Sequence, residues 1–175
     1  MKISSSGLFY SWVALLTVIA DQITKDLVVK NIPYMGNIDI FSWFSLTHVY
    51  NTGAAFSFLA DQPGWQGYLF LGIAAVVSVV IISVLAKMPA KSAVMAVSLN
   101  LVLGGAVGNA IDRVFLSHVV DFISVHVDGV FNYPAFNVAD SAICVGAFLL
   151  VVISIFGKDP DIEVDKSDEK NDISC

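Results

Sequence analysis

The stretch Gly104–Ser141, GGAVGNAIDRVFLSHVVDFISVHVDGVFNYPAFNVADS, places polar residues at the edges of apolar segments. These residues are Asn109, Asp112, Arg113, Asp121, Asn137 and Asp140. Ionisable groups beside a bilayer are costly to desolvate, so they usually have both a partner and a function. Which function they serve depends on where the rest of the chain places them.

The composition is that of an integral membrane protein. Of the 175 residues, 57% are hydrophobic and only 14% are charged, whereas average globular chains are about 45–50% apolar and about 25% charged. The net charge of −6 is concentrated in the segment 158–175, where seven acidic and three basic residues predict an acidic, disordered cytoplasmic tail. The chain has no basic patch that would favour nucleic acid as a partner.

Four apolar segments are long enough to cross a membrane. A bilayer core of about 30 Å requires about 20 helical residues, and the segments that qualify are about Leu8–Val29, Gly67–Ala86, Ala93–Asp112 and Ala139–Phe156. No small-residue cleavage site interrupts the first segment, so we interpret it as a retained span and not as a signal peptide. The sequence therefore predicts a single polytopic domain over residues 1–157.

The basic residues predict the orientation of these spans. In a four-span topology, four lysines lie on one side of the membrane: Lys2, Lys87, Lys91 and Lys158. The two loops on the other side, Asn31–Gln66 and Val114–Val138, contain no Lys or Arg. Because basic loops stay on the cytoplasmic side, we expect both termini to be cytoplasmic and both long loops to lie outside.

Both outer loops carry strand patterns. Phe41–Tyr50 is rich in aromatic and β-branched residues. Val119–Val127 alternates in polarity and leads into Asp128-Gly129, a dipeptide typical of a type I′ hairpin turn. We therefore expect an all-helical membrane core with a small β-layer, or cradle, on its outer side. Gly104 and Gly108 are spaced so that the third helix can approach a neighbour closely.

This topology brings carboxylates to the outer boundary. Asp112 ends the third span, Asp121 follows in the outer loop, and Asp140 opens the fourth span. Two carboxylates in one site of low dielectric constant share a proton near neutral pH. Such a pair can deprotonate a water and then protonate a leaving nitrogen, which is aspartic peptidase chemistry without a metal.

Other interpretations of these acids stay open. Asp140 stands third after Asn137, which is the pattern of a helix N-cap followed by a capping carboxylate. Asp121 could be an exposed strand residue, and the pair could relay protons or ions in a transporter. A non-catalytic membrane assembly factor is a further alternative.

The remaining polar residues have structural and functional interpretations. Asp21 and Lys25 are spaced for an i,i+4 ion pair. Arg113 could bind a lipid phosphate, pair with Asp112 or snorkel towards water. Asn51 is either a turn residue or a hydrogen-bonding group for an extended substrate. No metal site is predicted, because the three histidines lack zinc-ligand spacing: His48, His118 and His126.

Five motif blocks, in order along the chain, resemble the bacterial lipoprotein signal peptidase (signal peptidase II) family. They are DQITK at 21–25, NTGAAFS at 51–57, GGAVGNAIDR at 104–113, VVDF at 119–122 and FNVADS at 136–141. The resemblance extends from about Leu8 to Phe156 and leaves out the acidic tail.

The resemblance implies a four-helix aspartic endopeptidase of the bacterial inner membrane, with an outer β-cradle. We expect a monomer without a cofactor. Its expected substrates are prolipoproteins in which the lipobox cysteine carries diacylglycerol, and cleavage is expected just before that cysteine, at the periplasmic face. By motif position, Asp121 and Asp140 are expected to be catalytic. The residues expected to line the substrate or lipid site are Asn51, Asn109, Arg113 and Asn137. The residues expected to support them are Asp21, Lys25 and Asp112.

Overall fold

The computed structural model of the chain describes residues 6–52, 65–127 and 130–156. A short 3₁₀ turn (Gly7–Tyr10) leads into α1 (Ser11–Asn31), followed by α2 (Trp65–Lys87), α3 (Ala93–Leu116) and α4 (Val138–Phe156). The four predicted spans coincide with these helices, and the largest difference is that α3 continues past Asp112 to Leu116. The predicted acidic tail, 158–175, lies outside the described residues.

Three of the helices, α2, α3 and α4, are long and apolar enough to cross a bilayer. Helix α1 has 21 residues but contains Asp21, Lys25 and Asp26. Asp21 and Lys25 are buried against the other helices, whereas Leu15 and Ile19 on the opposite surface are exposed. The surface that α1 presents to its surroundings is therefore largely apolar along the first half of the helix.

Helix α3 packs against the other three helices, and its glycines make the close approach possible. A Cβ atom on Gly104 would lie 2.7 Å from the Cβ of Thr17 in α1, and one on Gly108 would lie 2.8 Å from Asp21 Oδ2. A Cβ atom on Gly105 would overlap the carbonyl oxygen of Ala139 in α4. The predicted close packing through Gly104 and Gly108 is confirmed, and Gly105 serves the same purpose towards α4.

Four antiparallel strands form one sheet in the order β1 (Asn37–Phe41), β2 (Phe44–Asn51), β3 (Val119–Val127) and β4 (Phe131–Asn132). The predicted strand Phe41–Tyr50 is partly wrong, because Phe41 ends β1 and pairs with Phe44 across a tight turn. The predicted bounds of β3 are confirmed.

The predicted type I′ turn falls on residues 128 and 129, which lie outside the described residues. The flanking residues show that the connection is longer than a two-residue hairpin loop. Val127 pairs with Phe131, so three residues separate the paired positions. The Val130 N–H donates to the Val127 carbonyl at 3.0 Å.

The sheet packs on one end of the helix bundle, here called the sheet end. Phe122 of β3 contacts Val28 and Ile32 at the end of α1, and Leu46 of β2 packs against the same cluster. Helix α3 ends at Leu116, and the left-handed backbone of the next residue, Ser117 (φ 65°), reverses the chain into β3. The beginning of β3 therefore lies directly over the ends of the helices.

We expect Gly105→Ala to destabilise the protein, because the added methyl group meets backbone atoms of α4 that have no room to move. Overpacking of this kind costs about 1–3 kcal/mol. Thermal unfolding of purified protein in detergent measures the effect. Gly72→Ala in α2 is the matched control, since no atom of the described residues lies within 4 Å of its added Cβ, and alanine there should be neutral or stabilising. Equal melting temperatures for the two variants would contradict the packing described above.

Candidate active site

Asp121 and Asp140 come together at the sheet end from two different elements. Asp121, in β3, accepts hydrogen bonds from Asn137 Nδ2 on Oδ1 (2.7 Å) and from Asn51 Nδ2 on Oδ2 (2.9 Å). Asp140, in the first turn of α4, accepts from Asn109 Nδ2 on Oδ1 (2.7 Å) and from the Asn137 backbone N–H on Oδ2 (3.2 Å). Asn137 therefore touches both carboxyl groups, and the three predicted asparagines surround the pair.

Asn137 is also the N-cap of α4. The Asp140 N–H donates to Asn137 Oδ1 at 2.9 Å, while the Asp140 carboxyl group accepts the N–H of Asn137. This reciprocal arrangement is a capping box, so the interpretation of Asp140 as a capping carboxylate is confirmed. The capping role of Asp140 is compatible with its place beside Asp121, because Oδ2 serves the cap while Oδ1 accepts from Asn109. The interpretation of Asp121 as an exposed strand residue is wrong, since Asp121 is 2% exposed.

Lys25 lies behind the pair, only 3% exposed, and all three of its N–H donors have acceptors. Its Nζ lies 2.8 Å from Asp21 Oδ2, 2.9 Å from Asp112 Oδ2 and 2.9 Å from Asn109 Oδ1. The predicted i,i+4 ion pair is confirmed, and Asp112 joins it. Because Lys25 holds the oxygen of the Asn109 side chain, the NH₂ group of that amide points towards Asp140.

The two carboxylates bound to Lys25 hold the elements that carry the acidic pair. Asp21 Oδ1 accepts the N–H of Ala139, the residue before Asp140, at 2.9 Å. Asp112 Oδ2 accepts the N–H of Val120, the residue before Asp121, at 3.2 Å. The predicted supporting residues therefore position the backbone on both sides of the site.

Gln22 belongs to this network and was missed as a site residue in the sequence analysis. Its Nε2 donates to Asp112 Oδ1 at 2.9 Å and also reaches Asp21 Oδ2 and the Gly108 carbonyl, each at 3.2 Å. In the sequence, a glutamine located between Asp21 and Lys25 looks like an ordinary polar residue of a helix, which is why it was missed. The available signal was its position inside the DQITK block.

A cavity of about 430 Å³ opens beside Asp140, between α2, α3 and α4. Most of its wall is apolar: Phe70, Ile73, Ala74, Val77, Val102, Ala106 and Ile143. Its polar end is formed by Asn51, Asn109, Arg113 and Asp140. The cavity can therefore accept an apolar group while placing a polar bond against the carboxyl group of Asp140.

Arg113 is part of this polar end and does not pair with Asp112. The oxygens of Asp112 are taken by Lys25, Gln22 and the backbone of β3, so of the three alternatives for Arg113 the pairing with Asp112 is wrong. The guanidinium group instead lies over the ring of Phe70, 5.1 Å from its centroid, and Nη1 donates to the Asn109 carbonyl at 3.3 Å.

The surroundings of Asp121 favour its protonated form. Burial raises the pKa of Asp121 from 3.8 to about 6, the hydrogen bonds from Asn51 and Asn137 oppose the rise, and the charge of Asp140 adds to it. A carboxyl group with such a pKa can hold a proton close to neutral pH and release it during a reaction.

His48 and His126 lie in strands β2 and β3, and His118 lies just before β3. His48 is buried, with Nδ1 2.7 Å from the Ile32 carbonyl. His118 packs on Tyr50, and burial lowers the pKa of its imidazole. Within residues 6–52, 65–127 and 130–156, no group of three or more His, Cys, Asp or Glu is arranged to hold a metal ion.

Comparison with known proteins finds relatives along most of the chain. The family model described as "Signal peptidase (SPase) II" matches residues 13–156. The lipoprotein signal peptidase of Tolumonas auensis is 45% identical over 159 residues, which are 91% of this chain and 97% of that protein. The lipoprotein signal peptidase of Pseudomonas putida is 51% identical over 147 residues, covering 83% of this chain and 85% of that protein.

Two solved structures share the fold. Both are described as bacterial membrane enzyme structures obtained by the in meso method. One, at 1.9 Å, matches with a TM-score of 0.74 at 26% identity and covers 91% of this chain and all of that chain. The other, at 2.3 Å, matches with a TM-score of 0.73 at 28% identity and covers 87% of this chain and 92% of that chain.

We expect Lys25→Met to be strongly destabilising, because it leaves Asp21 and Asp112 buried without their counter-ion. Removing one partner of a buried ion pair costs about 3–5 kcal/mol. The matched control is Lys30→Met, which breaks an exposed i,i+4 pair with Asp26 on the same helix, where the cost should stay below about 1 kcal/mol. Thermal unfolding in detergent compares them, and similar losses in both variants would contradict the network described here.

We also expect the stability of the protein to depend on pH through Asp121. Since folding raises the pKa of this carboxyl group, its contribution to the stability of the unmodified protein should be lost progressively as the pH rises from about 4 to about 6. Asp121→Asn lacks this loss, so its melting temperature relative to the parent should increase over that range, by the equivalent of up to about 3 kcal/mol. Asp39→Asn, at an exposed position of β1, is the control. A pH-independent difference for Asp121→Asn would contradict the raised pKa.

Proposed function

The chain belongs to the signal peptidase II family of aspartic peptidases, and on that premise we propose that Asp121 and Asp140 are its catalytic pair. It is a multi-pass membrane hydrolase that removes signal peptides from prolipoproteins. The observation that carries the proposal is the convergence of both carboxyl groups on Asn137, with Asp140 at the polar end of the membrane cavity.

The proposed reaction uses one proton shared by the pair. From the residues that the structure describes, each carboxyl oxygen accepts one amide hydrogen bond, which leaves a second lone pair on each for a water. The ionised carboxyl group removes a proton from that water as it attacks the scissile carbonyl. The protonated partner supplies the proton that the leaving nitrogen requires. Because Asn51, Asn109 and Asn137 hold the carboxyl groups in place, little reorganisation is needed during the reaction.

The proposed substrate is a prolipoprotein whose lipobox cysteine carries diacylglycerol, cleaved just before that cysteine. The apolar wall of the cavity suits the signal segment or the acyl chains, while its polar end suits the backbone around the scissile bond. A lipid that stays in the bilayer limits the depth of the attached peptide. It thereby contributes binding energy that is remote from the reacting bond.

We further propose that the sheet end faces the periplasm and that both termini are cytoplasmic. Lys87 ends α2 and Lys91 follows in the turn before α3, at the end opposite the sheet, and basic residues are retained in the cytoplasm. α1 is then the first of four spans. Both carboxyl groups of the pair come from one chain, so a monomer in the inner membrane is sufficient for the reaction.

We expect Asp121→Asn and Asp140→Asn each to reduce cleavage at least about a thousandfold, because neither amide can exchange the shared proton. The assay is release of the signal segment from a diacylglyceryl-modified lipobox peptide, followed by mass spectrometry. Asp26→Asn, an exposed acid on α1, is the matched control and should keep the parent rate. Both inactive variants should still unfold cooperatively in detergent.

Three results would overturn the proposal. Turnover near the parent rate in either Asn variant would exclude the acidic pair as the catalyst. Loss of activity in EDTA that zinc restores would favour a metal mechanism instead. A parent protein that releases no signal segment, but moves protons or ions across vesicles, would favour the transporter interpretation.

A further inference from the structure

Arg113 is a cation at the polar end of a largely apolar cavity, and no anion from the described residues contacts it. Among the described residues, no carboxylate oxygen lies within 4.0 Å of its guanidinium nitrogens. Its Nε is buried without a hydrogen-bond partner, and Nη1 makes one long bond, 3.3 Å, to the Asn109 carbonyl. Four of the five N–H donors of the guanidinium group are thus unused within the part of the chain that the structure describes.

This state is costly for the protein. Arg113 is partly buried, and a charge that is partly removed from water is normally paired, because its desolvation is unfavourable. The neighbouring acids show the usual solution, since Asp21 and Asp112 both contact Lys25. Arg113 differs because its partner Phe70 stabilises the face of the guanidinium group and leaves the in-plane N–H groups available. In-plane N–H pairs match the two oxygens of a carboxylate.

The proposed reaction creates such an anion at this place. When water adds to the scissile carbonyl and the C–N bond breaks, the nitrogen leaves with a proton and the carbonyl carbon becomes a carboxylic acid. At neutral pH that acid loses its proton. Asp140 and Arg113 line the same polar end of the cavity, so the new carboxylate forms within the space that both side chains border.

We propose that Arg113 binds the carboxylate that hydrolysis leaves at the end of the released signal segment. The inference rests on the proposed function and adds to it the ligand that Arg113 binds. A new carboxylate beside Asp140 would be repelled by the acidic pair, and Arg113 offsets that repulsion with a bidentate, charge-assisted contact. Before hydrolysis the same donors face the carbonyl oxygen, which carries less charge, so Arg113 binds the product more tightly than the substrate.

The test compares two synthetic peptides with the full-length protein in dodecyl maltoside at pH 7.5. Both peptides are a signal segment that ends at the residue before the lipobox cysteine, one with a free carboxylate and the other with a carboxamide. Their dissociation constants are measured by titration and their inhibition constants in the cleavage assay. We expect the parent to bind the acid at least about tenfold more tightly, as for a charge-assisted contact.

Three variants test whether Arg113 causes the preference for the acid peptide over the amide. Arg113→Gln should bind acid and amide equally, and Arg113→Lys should keep part of the preference, because it retains the charge but not the planar fork. Lys30→Gln removes one positive charge at an exposed position of α1 and should discriminate as the parent does. Direct binding gives a readout for variants that cleave slowly.

The outcomes separate this inference from the proposed function. If the parent cleaves the lipobox peptide but binds acid and amide equally, the inference is wrong and the function stands. If the parent does not cleave at all, the proposed function fails. If Arg113→Gln keeps the acid preference and instead loses binding to phosphatidylglycerol vesicles, Arg113 is a site for a lipid phosphate and the inference is again wrong.

Discussion

The buried ammonium group of Lys25 is the interaction on which the rest of the site depends. It contacts Asp21 and Asp112 at 2.8 and 2.9 Å and the side-chain oxygen of Asn109 at 2.9 Å. A lysine and two carboxylates among packed helices are stable when every donor and acceptor is satisfied, and here all three lysine N–H groups are. The two acids then use their remaining oxygen lone pairs to hold other parts of the backbone.

Those backbone contacts explain how two distant acids are brought together. Asp21 binds the N–H group before Asp140, and Asp112 binds the N–H group before Asp121. A single ion-pair network in α1 and α3 thus sets the position of the first turn of α4 and of the beginning of β3. The close approach that this requires is available because α3 has glycine at 105 and 108, where a Cβ atom would meet Ala139 or Asp21. Packing and electrostatics therefore depend on each other at this point of the molecule.

The same residues serve stability and the proposed chemistry. Asn137 caps α4 and also touches both carboxyl groups, and Asp140 is half of the capping box. Burial that holds Asp121 in place also raises its pKa to about 6, which costs stability near neutral pH but keeps a proton available. Arg113 likewise combines a cost in stability with a proposed role, since its charge lies in a largely apolar cavity where an anion is expected to form.

The sequence by itself determined the helices, their order, the course of β3 and the residues gathered at one end. These properties follow from hydropathy, from the placement of lysines and from motif blocks, all of which are local in the chain. Tertiary structure decided which polar groups become partners, as in the contact between Asp21 and Ala139, which are 118 positions apart. In the folded protein Asp112 pairs with Lys25 and not with Arg113, and Gln22 donates a hydrogen bond to Asp112. The reason is geometric: a buried charge takes the partner that the packed helices bring within hydrogen-bond distance, and spacing along the sequence does not specify that distance.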